Sequence, residues 1–227
     1  MTADELYQQA FRSEIAALKP ASLCDVGCGA GTLLAHAQSL GIAAAGIEPD
    51  TAKVADANGR GLNIRAGAAE TLPFPDAAFD LVTFENSLHH VTEIGRALAE
   101  AMRVARRAVV IVDPWFDLSI PSQAVGDRYE RWMKALDRMT GMVHWDPIAA
   151  GAIAAACNGS TVTVRHLLQL TPMSNEAFAY FSGRAQPHRE SPVYKANGMD
   201  QELAAIRAAF QSTGITEAGA LLVSVGK

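Results

Sequence analysis

Two hydrophobic rhythms alternate along the first half of the chain. Short apolar runs at residues 22–26, 42–47, 62–67, 79–85 and 107–113 have the length and composition of buried strands. Between them, residues 32–40, 51–57 and 93–104 carry apolar positions at helical spacing. Strands alternating with helices imply a parallel sheet. The run Ala108 to Val112 is apolar at every position, as a central parallel strand is. Ahead of this series, Thr2 to Lys19 reads as an amphipathic helix. Leu6, Phe11, Ile15 and Leu18 recur near the helical period, Thr2 and Glu5 have capping-box spacing, and Pro20 ends it.

The pattern changes after Asp113. Pro121 to Met139 is predicted to be a helix with Val125, Tyr129, Trp132, Met133 and Leu136 on one face. Arg128, Arg131, Lys134 and Arg138 lie off that face, and Gly141 ends the helix. Asp146-Pro147 reads as the N-cap and first position of a helix running to Cys157, with Asn158-Gly159 closing it. Thr161 to Leu168 alternates as a strand. Thr171 to Gly198 reads as irregular, Met199 to Ser212 as a helix and Ala220 to Val225 as the last strand. One domain over residues 1–227 is expected, with 115–145 and 171–198 as insertions into it.

One stretch in the first rhythm carries chemistry. Asp25-Val-Gly-Cys-Gly-Ala-Gly31 joins the first strand to the first crossover helix. Glycine turns of this kind bring bare backbone and free N–H groups up to a ligand. Glu48 closes the second strand, where an acidic residue can accept both hydroxyls of a ribose. Leu72-Pro-Phe-Pro-Asp76 and Leu88-His-His-Val91 follow.

With these three segments in this order, the stretch from Leu23 to about Pro114 resembles the class I S-adenosylmethionine-dependent methyltransferases. It is most like their small-molecule group. The resemblance implies an α/β, Rossmann-like, doubly wound seven-stranded sheet, mostly parallel, with an antiparallel last strand inserted beside the fifth and helical lid insertions. It implies S-adenosylmethionine as cofactor. It also implies roles for residues. Gly27, Cys28, Gly29 and Gly31 form the loop under the methionyl part. Asp25 orients that loop or contacts the amino group through water. Glu48 binds the ribose, Ala69 and Glu70 lie at the adenine, and Asn86 lies at the methionyl end. Ala68 stands where many relatives carry Asp, and Glu70 is the substitute at hand.

Methyl transfer from a sulfonium is an in-line displacement governed by alignment. A base is needed only when the acceptor must lose a proton. His89 and His90 are the candidate catalytic residues, and the alternative for either is satisfying backbone groups where a helix begins. Asp113 is a lesser candidate that can equally cap the turn at Pro114. The short N-terminal helix leaves the acceptor side to be covered from elsewhere, and 115–145 with 171–198 is expected to supply pocket and lid. Trp115, Tyr129, Trp132, His144 and Trp145 are candidates for lining it, with core packing as their other reading. Arg128 and Arg131 lead a set with Arg138, Arg184 and Arg189 that could hold an anionic acceptor, the alternative being a solvated face.

Composition narrows the field. The chain has 227 residues, 49% hydrophobic content and a formal net charge of −5, which argues against a nucleic-acid partner. No apolar run has bilayer-spanning length, and Met1 to Leu6 lacks the pattern of a secretory signal, so no membrane association is expected. Three cysteines without metal-ligand spacing suggest free thiols in a reducing cytoplasm and no metal site. The expected activity is O-methylation of a small-molecule metabolite, by a protein for which a homodimer is open. C- or N-methylation and a non-catalytic regulatory protein that binds S-adenosylmethionine are the alternatives. A nicotinamide oxidoreductase is disfavoured by the glycine spacing. A nucleic-acid amino-methyltransferase is disfavoured by Glu85-Asn-Ser-Leu where an Asp/Asn-Pro-Pro-aromatic motif would stand.

Overall fold

The computed structural model describes residues 2–157 and 159–227. The chain divides into two compact units, one of Met1–Asp113, Ile148–Leu167 and Leu221–Lys227, the other of Pro114–Pro147 and Leu168–Ala220.

The first unit is built on a seven-stranded sheet. Its strands are β1 (Ser22–Val26), β2 (Ala43–Glu48), β3 (Ile64–Ala66), β4 (Phe79–Glu85), β5 (Ala105–Trp115), β6 (Thr161–Leu167) and β7 (Gly219–Gly226), in the order β3-β2-β1-β4-β5-β7-β6. β1 pairs in parallel with β2 and β4, which sets Asp25 between Gly46 and Thr83. The Lys227 N–H donates to the Arg107 carbonyl at 2.9 Å. The end of β7 therefore lies beside the start of β5, and the last strand runs antiparallel.

Four helices follow the sequence pattern closely: α1 (Ala3–Ala17), α2 (Thr32–Ser39), α3 (Thr51–Gly59) and α4 (Ile94–Val104). α1 opens with the expected capping box, the Thr2 hydroxyl accepting from the Glu5 N–H and Glu5 accepting from the Thr2 N–H at 2.8 Å. It buries Tyr7, Phe11 and Ile15. α4 buries Ala97, Leu98, Ala101 and Val104 along one stripe.

In the second unit, α5 (Pro121–Met139) has the predicted bounds. It packs on α9 (Met199–Thr213) around Tyr129, Trp132, Leu136, Leu203 and Ile206. Lys134, expected off the apolar face, is fully buried, with Nζ 3.6 Å from Glu130.

Two expectations about the later chain need correction. α6 spans Ala150–Ala156 and starts after Ala149, not at Asp146-Pro147. Asp146 instead holds Arg131 at 2.6 Å and Arg138 at 3.3 Å. The expected stop at Asn158 lies outside the described residues. The segment from Thr171 to Gly198 is helical where it was expected to be irregular, with α7 (Asn175–Gly183) and α8 (Pro192–Ala196). Ser174 and Ser191 cap these helices, accepting from the N–H groups of Ala177 and Tyr194. Among the described residues no helix is long and apolar enough to cross a membrane.

Candidate functional site

The C-terminal ends of β1, β2 and β4 meet around the glycine loop. The Gly27 and Cys28 N–H groups both donate to the Ile47 carbonyl, at 2.8 and 3.1 Å, which fastens the loop to the end of β2. Gly27 has φ +72°, and a Cβ there would sit 2.5 Å from Ser87 Cβ, so the turn after β4 excludes any side chain. Gly29 also has positive φ, but the space over it is open. Its missing side chain leaves backbone that a ligand can approach. α2 starts at Thr32 from Gly31 with no side-chain cap, so its first N–H groups have no side-chain acceptor.

Glu48 is buried beside this loop. Its carboxylate accepts from the Gly29 N–H at 2.9 Å and from the Asp50 N–H at 3.2 Å, with Lys53 4.0 Å away. Asp25 is buried more deeply and accepts from the Thr83 hydroxyl at 2.8 Å. Burial pushes its carboxyl up to about 8, Glu85 and Glu48 add repulsion, and the Thr83 bond opposes the rise. Burial pushes the Cys28 thiol up to about 12, which makes it an unreactive packing residue.

The remaining expected contacts divide. Ala69 is buried, and Asn86 is exposed with φ +51°, its N–H donating to the Val112 carbonyl at 2.9 Å. Glu70, expected at the adenine, is engaged within the chain. Its Oε1 accepts from the Thr92 and Glu93 N–H groups, at 2.7 and 3.0 Å, and so caps the entry to α4. The Leu72–Asp76 segment is held by Arg103, which donates to the Leu72 and Phe74 carbonyls and to Asp76. Sequence reading missed Arg103, although a basic residue in the last turn of α4 was visible.

His89 and Asp113 come together. His89 Nδ1 lies 2.7 Å from Asp113 Oδ1, and both side chains are buried. A carboxylate at that distance accepts a hydrogen bond from Nδ1–H, which favours the tautomer with its lone pair on Nε2. Asp113 Oδ2 is also shut off from solvent and, among the described residues, has no hydrogen-bond partner. His90 is exposed, its ring tilted against His89 with centroids 4.3 Å apart. The pair spans the turn after β4 and the body of β5, elements that the sequence pattern places but does not join.

The acceptor-side residues, all in the second unit, have other partners than those expected. Arg128 makes a two-pronged contact with Glu202 at 2.5 and 2.8 Å. Arg131 is held by Asp127 at 2.7 Å and by Asp146. Arg184 pairs with Asp137, and Arg189 lies 3.3 Å from Asp200. These cations are already neutralised, which removes the reason to expect an anionic acceptor. Tyr129 and Trp132 are core. Tyr129 donates to the Phe178 carbonyl at 3.1 Å, and Trp132 donates to the Met199 carbonyl at 2.9 Å. His144 sits 2.8 Å from Asp137. Trp115 and Trp145 do not belong to that core cluster, and Trp145 is 47% exposed.

Residues 24–112 match the family model of a methyltransferase domain. This segment is a methyltransferase domain. The glycine loop, Glu48 and the two histidines fall inside the methyltransferase domain, while Asp113 and the second unit lie beyond the matched range. Ajmaline N-methyltransferase of Rauvolfia serpentina is 32% identical over 130 residues, covering 52% of this chain and 45% of that protein. The crystal structure of YcgJ from Bacillus subtilis shares the fold, with a TM-score of 0.62 and 17% identity over 91% of each chain. So does a SAM-dependent methyltransferase from Archaeoglobus fulgidus, with a TM-score of 0.63 and 15% identity, covering 100% of this chain and 95% of that one. The chain spans about half the length, or less, of the curated relatives it matches.

Proposed function

We propose that this chain transfers a methyl group from S-adenosylmethionine to a small-molecule acceptor, with an acceptor hydroxyl as the first choice. The observation that carries the reading is the junction of Glu48 with Gly29 inside the matched methyltransferase domain. A buried carboxylate acceptor at the end of β2 and an open glycine backbone at the end of β1 suit the hydroxyls of a ribose and an aminoacyl chain. When bound, the cofactor supplies an electrophilic methyl on a sulfonium whose departure leaves a neutral thioether. The chain's own residues then have two tasks. Glu48 and the glycine loop hold and orient, which supplies most of the acceleration in an aligned displacement. His89 takes the acceptor's proton on Nε2 while Asp113 holds Nδ1–H, and this pair is what favours oxygen as the methylated atom. Nitrogen is the second reading, favoured by the likeness to ajmaline N-methyltransferase. Three free, buried cysteines support a reducing compartment.

Calorimetry tests the cofactor. S-adenosylmethionine or its demethylated product should bind, and at a hundredfold excess over Kd either should stabilise the fold by about 2.7 kcal/mol. Binding of NAD but of neither adenosyl compound would sink the proposal. A metabolite screen for methyl transfer then separates an enzyme from a regulatory binder.

Glu48 allows a sharper check. Glu48→Ala removes charged hydrogen bonds to the ribose, worth roughly 1.5–3 kcal/mol, and frees the Gly29 N–H as well. Affinity for the demethylated product should fall about tenfold or more. Glu48→Gln keeps one acceptor for Gly29 and should fall less. Full affinity in a folded Glu48→Ala protein would move the ribose elsewhere.

A further inference from the structure

α1 and α2 border a cleft of about 400 Å³. Gln8, Gln9, Arg12 and Ser13 of α1 line it, and His36 of α2 joins them. These α1 residues recur at the spacing of one helix face, while Tyr7, Phe11 and Ile15 of the same helix are buried. A second hollow shares Arg12, Ala16 and His36 with the first and is walled by Ile15, Leu33 and Leu40. Leu40 is 59% exposed there, a large apolar side chain left without cover. A polar wall and an apolar wall therefore adjoin, in a volume that takes a small molecule.

Arg12 is the cation of the polar wall. Its Nε is closed off from solvent and, among the described residues, no hydrogen bond or ion pair reaches its guanidinium. Every other described arginine has an acceptor, a carboxylate or an aromatic face. Even exposed Arg60 and Arg65 reach backbone carbonyls, and Arg207 lies over the Phe178 ring. The charge of Arg12 is felt at Glu85, but Glu85 forms no ion pair with it and does not line the cleft. Glu5, the acid on the wall, is taken up in the cap of α1, about 10 Å along the helix from Arg12. Gln8, Gln9, Ser13 and His36 make no side-chain hydrogen bonds among the described residues, so their donors stand uncommitted around the guanidinium. A donor shut off from water is costly unless an acceptor completes it.

We propose that this cleft binds a small monocarboxylate with an apolar body, the carboxylate on Arg12 and the body along Leu33 and Leu40. The planar fork of a guanidinium matches a carboxylate with two parallel hydrogen bonds, and a single cation among neutral donors balances a single negative charge. The cleft shares no residue with the glycine loop, Glu48 or His89, so this site and the methyltransferase reading stand or fall separately.

The test uses hexanoate, with hexanol, acetate and inorganic phosphate as comparison probes, in NMR titrations of the full chain. Hexanoate should shift amide signals of α1 and α2, and hexanol should bind about tenfold or more weakly for want of the charge. Arg12→Gln should weaken hexanoate about tenfold or more and leave hexanol unchanged, with amide signals away from the cleft showing that the variant is folded. Arg12→Lys keeps the charge without the fork and should fall between. Leu40→Ser, at an exposed position, should weaken hexanoate and leave acetate unchanged. Absence of shifts on α1 and α2, hexanol binding as tightly as hexanoate, or unchanged hexanoate affinity in Arg12→Gln would each overturn the site. Phosphate binding as tightly as hexanoate would overturn its assignment to a carboxylate with an apolar body.

Discussion

Asp113→Asn should lower kcat by about 10²–10⁴-fold with the acceptor that the protein uses, while cofactor affinity stays within about twofold. The reason is the tautomer. Asp113 lies 2.7 Å from His89 Nδ1 and draws the proton there, which keeps the lone pair on Nε2. An asparagine of the same shape can present its NH₂ to Nδ1 and turn the ring into the opposite tautomer. The proton would then sit on Nε2, and the base would be lost with little change in packing. His89→Ala should cost a similar factor, and the double variant should cost little more than either single one, because the two residues act as one unit. A fall in stability alone would not give that pattern. If the acceptor is instead a neutral amine, no proton need leave before attack, and both variants should keep most of their turnover. The measurement therefore reads the methylated atom as well as the role of the pair. Equal activity of wild type and Asp113→Asn on a hydroxyl acceptor would remove His89 as the base.

What the sequence made legible follows from which interactions are local. β1, β4 and α5 have the predicted bounds, because apolar period and end signals lie within each element. The Thr2–Glu5 capping box is a three-residue relationship and is present as read. Helices α7 and α8 were announced by Ser174 and by Ser191-Pro192, but the mixed composition around them hid the period. Lys134 shows the limit of a helical wheel, since burial depends on what packs outside the helix. The arginines make the same point about charge. Arg128 and its partner Glu202 are far apart in sequence, and no pattern on α5 shows that the cation is already satisfied. The candidate site behaves likewise. Its backbone half, the glycine loop and Glu48, was readable from spacing. The pairing of His89 with Asp113 depends on how the strands assemble.

Asp25→Asn should stabilise the ligand-free protein by roughly 2–4 kcal/mol at pH 8 and by almost nothing at pH 4. Asp25 is 2% exposed, and burial, with repulsion from Glu85 and Glu48, raises its carboxyl from 3.8 to about 8. The native state thus holds a proton that the unfolded chain releases above pH 4. Stability associated with this group is complete below about pH 4 and is lost progressively as pH rises through about 8. Asparagine keeps the shape and an oxygen for the Thr83 hydroxyl, and has no charge to bury. Retaining an acid at this cost makes sense if the site must meet a cation. A sulfonium with an ammonium stabilises ionised Asp25, so binding should expel a proton. Affinity for S-adenosylmethionine should therefore rise with pH from 6 to about 8 and then level. The slope should be shallower for the demethylated product, which lacks the sulfonium charge, and flat for both ligands in Asp25→Asn. Denaturation of the two proteins at pH 4 and pH 8, with calorimetric titrations across the same range, gives both readouts. A wild-type affinity independent of pH, or an asparagine variant less stable at pH 8, would mean that Asp25 is an ordinary structural carboxyl and that the cation is met elsewhere.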